Sequence, residues 1–105
     1  MIRRYGRRVS VSMNVIVAGD RKFAVGRMLD MSLPGCLIEC RHTLKKGDYV
    51  QLRTFLPDQT EPVDITLAAV RWIHASRVGM EFIRTSEQDQ HRLRNFIRRH
   101  ASSAA

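Results

Sequence analysis

Residues 9–17 read VSVSMNVIV, and this alternation constrains the fold more than any other stretch of the chain. It sets Val9, Val11, Met13, Val15 and Val17 on one face and Ser10, Ser12 and Asn14 on the other. A period of two fits the pleat of a half-buried strand and not the turn of a helix. Such a strand needs neighbours, both to cover its apolar face and to satisfy its backbone N–H and C=O groups.

The rest of the chain supplies them. AGDRK, residues 18–22, turns the chain, with Gly-Asp expected to provide the positive φ of a hairpin. A second strand is predicted over residues 23–31 and a third over 36–40, separated by SLPG. LKKGD turns again, and Val50, Leu52 and Leu56 mark a fourth strand before the loop PDQTEP. The fifth, residues 63–73, shifts its inward set from Val63, Ile65 and Leu67 to Val70 and Trp72, which predicts a β-bulge. VGMEFI is the sixth, with Val78, Met80 and Phe82 inward. Ser86 then caps a helix with Asp89 three residues on as a capping-box variant, and ASSAA frays beyond it. Leu93, Phe96, Ile97 and His100 form the helix stripe that must lie on the sheet.

Six short strands in 105 residues are too few for two large sheets. They favour an all-β fold, a small antiparallel barrel closed on itself to remove its edges, with the C-terminal α-helix at one end. The expected organisation is a single domain over 1–105: an Arg-rich N-terminal arm at 1–8, a barrel at 9–83 and a helix at 86–100. Phe23, Phe82 and Phe96 are expected in the core.

Charge narrows the partners. Eighteen Lys and Arg against ten Asp and Glu leave +8, with a pI near 10.7, which calls for an anionic partner. Arg far outnumbers Lys, favouring planar, bidentate recognition of phosphate or a base edge. No apolar run approaches the ~20 residues that cross a bilayer, and no secretory signal follows the basic start, so a cytoplasmic protein is expected. Cys36 and Cys40 fall on one face of a strand roughly 13 Å apart. Since a disulfide spans ~7 Å at most between Cα atoms, they read as buried free thiols. The histidines lack ligand spacing and no nucleophile or phosphate-loop motif occurs, so neither a catalytic residue, a metal site nor a cofactor is expected.

Two stretches remain. RRYGRRVSV places Arg3, Arg4, Arg7 and Arg8 before the first core residue, where mutual repulsion helps no fold. LDMSLPGC leaves the second strand through Asp30 and Ser32, with Pro34 to stiffen the turn and Gly35 to allow a positive φ or a close approach. Taken alone, the second is a turn whose Asp and Ser bond their own backbone, and the first a solvated charge run.

Together, an R-x-x-x-R before the first strand and a D-x-S-x-x-G between the second and third resemble the PilZ domain family. LKKGDYVQL, the VRW of residues 70–72, VGMEF and the terminal helix extend the resemblance along nearly the whole chain. It implies a six-stranded antiparallel barrel and a receptor, not an enzyme, for the bacterial second messenger cyclic di-GMP, commonly bound as an intercalated dimer. An arginine fork meets guanine O6 and N7 in a bidentate pair. Asp30 is expected to accept from guanine N1 and N2, Ser32 to donate to phosphate or base, and Gly35 to let the backbone come near.

Both Arg3 with Arg7 and Arg4 with Arg8 satisfy the first motif. Arg4 and Arg8 are preferred because Arg8 abuts the strand, which leaves Arg3 or Arg7 for a second ligand molecule. The arm is expected to order over the ligand. Trp72 either stacks on a guanine or fills the barrel end, and the core position is preferred. The rival readings are a nucleotide-free PilZ-like docking adaptor and a basic barrel for single-stranded nucleic acid. The latter is disfavoured by an aromatic set of one Trp, two Tyr and four Phe. With no attached module expected, output must pass through a partner protein, and motility and biofilm processes are implied by the resemblance alone.

Overall fold

The computed structural model describes residues 8–57 and 59–103. Six strands precede one helix: β1 (Val9–Gly19), β2 (Lys22–Met31), β3 (Gly35–Cys40), β4 (Tyr49–Thr54), β5 (Val63–His74), β6 (Arg77–Thr85) and α1 (Glu87–Ser103). Every pairing is antiparallel, and the sheet closes in the order β1-β2-β3-β6-β5-β4. Closure comes from β1 meeting β4, where Val15 faces Thr54 and Val17 faces Leu52.

The alternation of β1 does what its period implies. Val9, Met13, Val15 and Val17 are buried, while Val11 is only partly so because the β1–β2 register slips between Ser10 and Met13. Ile38, Leu52, Val63, Ile65, Val70 and Val78 join them in one continuous core. Phe82 packs partly buried against it. Cys36 and Cys40 are buried free thiols.

Turn chemistry differs at one point. The β1–β2 hairpin pairs Gly19 with Lys22, and its positive φ falls on Arg21, at 57°, instead of on Gly-Asp. A two-residue loop needs left-handed backbone, and here a non-glycine accepts that strain. Gly47, at φ 95°, supplies it in the LKKGD turn as expected.

Two aromatic assignments to the core are overturned, both by bulges. Phe23 is 71% exposed. It has the same parity as buried Met31, but the β2–β3 register slips between Met28 and Asp30, so the inward set runs through Met28 and Phe23 turns out beside Ala18. Trp72 is 47% exposed. Val70 pairs with Met80 and Trp72 with Gly79, leaving Arg71 as the extra residue that reverses the pleat and sends Ile73 inward instead.

The helix closes the structure. Ser86 Oγ accepts the Asp89 N–H at 3.1 Å, the expected cap. Asp89 accepts the Asp64 N–H at 3.0 Å, tying the helix start to β5. Leu93, Phe96 and Ile97 are buried in the core. His100, expected on that stripe, is exposed and rests its ring on Phe96 at 3.9 Å between centroids. The helix runs to Ser103, beyond the expected end at His100.

Candidate functional site

The D-x-S-x-x-G segment forms a tight connection between β2 and β3. Ser32 N–H donates to Gly35 O at 2.8 Å, Gly35 N–H to Ser32 O at 3.4 Å, and Ser32 Oγ to Gly35 O at 3.3 Å. Ser32 is buried, so its hydroxyl staples the turn and lies off the wall of the cavity described below. Phe82 N–H donates to Pro34 O at 2.8 Å, which pins the turn against β6. Gly35 is required by that approach: a Cβ there would stand 2.2 Å from the Met80 carbonyl oxygen. Its backbone has no positive φ, so contact with β6 and not turn geometry demands the glycine.

From this turn Asp30 faces outward and meets Arg8, whose guanidinium donates to Oδ1. The described end of the arginine motif and the head of the aspartate motif, 22 residues apart, are therefore joined. Arg3, Arg4 and Arg7 lie outside the described residues.

The pair sits on the wall of an open cavity of about 410 Å³, lined also by Gly35, Arg71, Trp72 and Glu81. The bulge that turned Trp72 outward is what delivers it here. Its indole lies across Gly79, where a Cβ would stand 2.1 Å from Nε1 and 2.3 Å from Cε2. The indole thus packs on the Gly79 backbone and is left about half exposed at the cavity. Arg71, the bulged residue, donates from Nε to Glu81 Oε1 at 2.6 Å, with both side chains about half exposed. The site combines two guanidiniums, two carboxylates and a half-exposed indole, a set suited to a planar, anionic, hydrogen-bonding ligand.

Beneath it lies Cys36. Burial pushes its thiol far above the usual range, the Asp30 charge adds to this, and Arg8 partly offsets it. The thiol stays protonated and offers no nucleophile. Among the described residues no cluster of His, Cys, Asp or Glu is arranged to hold a metal ion.

Sequence reasoning missed Arg71, Gly79 and Glu81. Arg71 was visible within VRW, but its place on the cavity depends on the bulge, and Gly79 and Glu81 become neighbours only through the β5–β6 register.

The PilZ domain model matches residues 2–99 of the sequence. The chain belongs to the PilZ family. The Bacillus subtilis inhibitor of motility, MotI/DgrA, superposes with a TM-score of 0.86 at 18% identity over 100% of this chain. This chain spans 54% of that protein's length. The PilZ domain of YcgR from Escherichia coli, solved with c-di-GMP, gives 0.73 at 16% identity, covering 98% of this chain and 95% of that one. The PilZ domain of CeSA from a cellulose-synthesizing bacterium gives 0.69 at 17% identity, covering 94% and 99%. At these identities the likeness is one of fold. No curated protein sequence matches the chain. PilZ domains are ligand-binding effector domains, usually receptors for cyclic di-GMP.

Proposed function

We propose that this PilZ chain is a cyclic di-GMP receptor that takes its ligand in the cavity between Arg8, Asp30 and Trp72 and acts through a partner protein. The observation that carries the reading is the meeting of the two motifs at the Arg8–Asp30 pair, on a cavity that a half-exposed indole also lines. With Arg8 on Oδ1, the second carboxylate oxygen of Asp30 is left to accept from guanine N1 or N2. The Arg8 fork can turn its other N–H groups to guanine N7 and O6, and Trp72 offers a stacking platform. Arg71 is a second cation for a phosphate or a second guanine, at the expense of its bond to Glu81. Arg3, Arg4 and Arg7 supply counter-charge from the arm, which closes over the ligand. Ser32 and Gly35 act by shaping the turn that presents Asp30. A cytoplasmic receptor fits a second messenger, and no described helix is long and apolar enough to cross a membrane.

Calorimetric titration tests this. Cyclic di-GMP should bind with a Kd of about 1 μM or tighter, roughly −8 kcal/mol, while cyclic di-AMP and GTP give no comparable heat. An adenine cannot donate from N1 and an exocyclic N2 as a guanine does, so Asp30 would be left unmatched. Equal heats from the two dinucleotides would remove the guanine role of Asp30. No heat from any nucleotide would leave the chain as a docking adaptor built on the same fold.

A further inference from the structure

A second surface, centred on β1 and β2 near their shared hairpin, shares no lining residue with this cavity. There Phe23 and Val25 stand out from β2 at 71% and 62% exposure, beside Ala18 and Ile16 on β1. Phe23, Ile16 and Ala18 border a groove of about 420 Å³, floored by Leu52 and Ile65 where the β4–β5 register slips. On its far wall Arg53 and Asp64 neutralise each other through bonds of 2.7 and 3.1 Å.

Charge decides what can cover it. The apolar pair is flanked by Arg21 in the hairpin turn and Arg27 on β2, both exposed and, among the described residues, without a carboxylate partner. Among the described residues Arg27 donates to the Ser12 hydroxyl. Asp20 shares the hairpin tip with Arg21, and Glu39, opposite Arg27 on β3, is engaged by Ser76 at 3.3 Å and Arg77 at 3.9 Å. A second copy would bring like arginines together in a two-fold pairing, between chains that each carry +8. An isolated apolar stripe of this exposure, rimmed by polar groups, marks an interaction surface.

We infer that this face docks an extended segment of a partner protein whose every second residue faces it in the order acidic, apolar, apolar, acidic, the apolar ones on Phe23 and Val25 and the acidic ones on Arg21 and Arg27. The inference stands apart from nucleotide binding, since no residue is shared with the cavity. A short peptide with glutamate, leucine, leucine and glutamate at alternate positions and serine between them serves as the probe, titrated into the full chain and followed by amide chemical shifts. Its lysine–leucine counterpart is the control. Shifts should concentrate at residues 16–18 and 23–27 for the acidic peptide only. Phe23→Ser, and separately Arg21→Glu with Arg27→Glu, should each weaken binding at least ~tenfold without changing the melting temperature, because all three side chains are exposed. The double reversal should instead bind the lysine peptide. Equal response to both peptides, shifts centred elsewhere, or no shifts at all would overturn the inference. A dimer in sedimentation that Phe23→Ser dissociates would overturn it too, by giving the face to a second copy. Running the series with and without cyclic di-GMP separates a failure here from a failure of the receptor reading.

Discussion

Arg8 and Asp30 sit at the rim of the barrel, with side chains 57% and 23% exposed, and their ion pair contributes little to stability. Arg8→Ala and Asp30→Ala should therefore each weaken cyclic di-GMP binding by roughly 1–3 kcal/mol and move the unfolding free energy by no more than about 1 kcal/mol. Calorimetry and thermal melts on the same samples check both halves. The two glycines under the site should behave differently from each other. At Gly35 a methyl group meets the Met80 backbone carbonyl, which cannot swing aside, so Gly35→Ala should destabilise the fold by about 1–3 kcal/mol. At Gly79 the obstacle is the Trp72 ring, which can move. Gly79→Ala should displace the indole, and because Trp72 is the one tryptophan in the chain, its emission reports the change directly. Ligand affinity should fall with it if the ring is the stacking platform.

Among the elements, the bulges and the helix carry the most consequence. The extra residue Arg71 both exposes Trp72 and brings its own guanidinium to Glu81, so one irregularity in β5 puts both Arg71 and Trp72 on the cavity wall. Bulges next to functional sites commonly re-aim side chains in this way. The helix secures the barrel through Leu93, Phe96 and Ile97. Leu93→Ala should cost about 2–5 kcal/mol in unfolding free energy, and Ser86→Ala, which removes the cap, ~1 kcal/mol, neither affecting affinity per folded molecule. For the arm, four arginines around Tyr5 and Gly6 offer little apolar surface against an ordering cost of ~1–2 kcal/mol per residue. Added cyclic di-GMP should slow amide exchange at residues 3–8 while the strands change little. Protection at 3–8 that is the same with and without ligand would place the signal elsewhere.

For the molecule as a whole, electrostatics set the response to solution conditions. Asp48 is held below the ordinary 3.8 by hydrogen bonds from the Lys22 side chain and the Lys45 N–H. Asp64 is held below 3.8 by the Arg53 fork. In both cases the unfolded chain binds the proton more readily, so stability rises with pH through this range. The contribution is complete above the unfolded value and is lost as pH falls through the lower, folded one. Both groups are partly open to solvent, so the loss is small and screened by salt. Urea midpoints should hold level from about pH 6 down to about pH 5 and decline only as pH falls toward and below 4, with a shallower decline in high salt. With a net charge of +8, nucleotide affinity should fall as ionic strength rises.

Alternation in β1, the turn at Gly47, the Ser86 cap and the apolar helix stripe are local properties, so the strand count, the barrel and its terminal helix were legible in the residues themselves. The two motifs were legible as well, and so was the turn that Ser32 closes. What could not be read was the phase of the strands beyond each bulge. A slip of one residue reverses every later side chain, and its position depends on how the neighbouring strand pairs. Phe23 and Trp72 were misassigned to the core for that reason, and Arg71, Gly79 and Glu81 went unseen at the cavity. Sequence alone determined the kind of fold and the charged groups at residues 8 and 30. Tertiary structure decided which faces those strands present, because register is a property of pairs of strands and no single segment contains it.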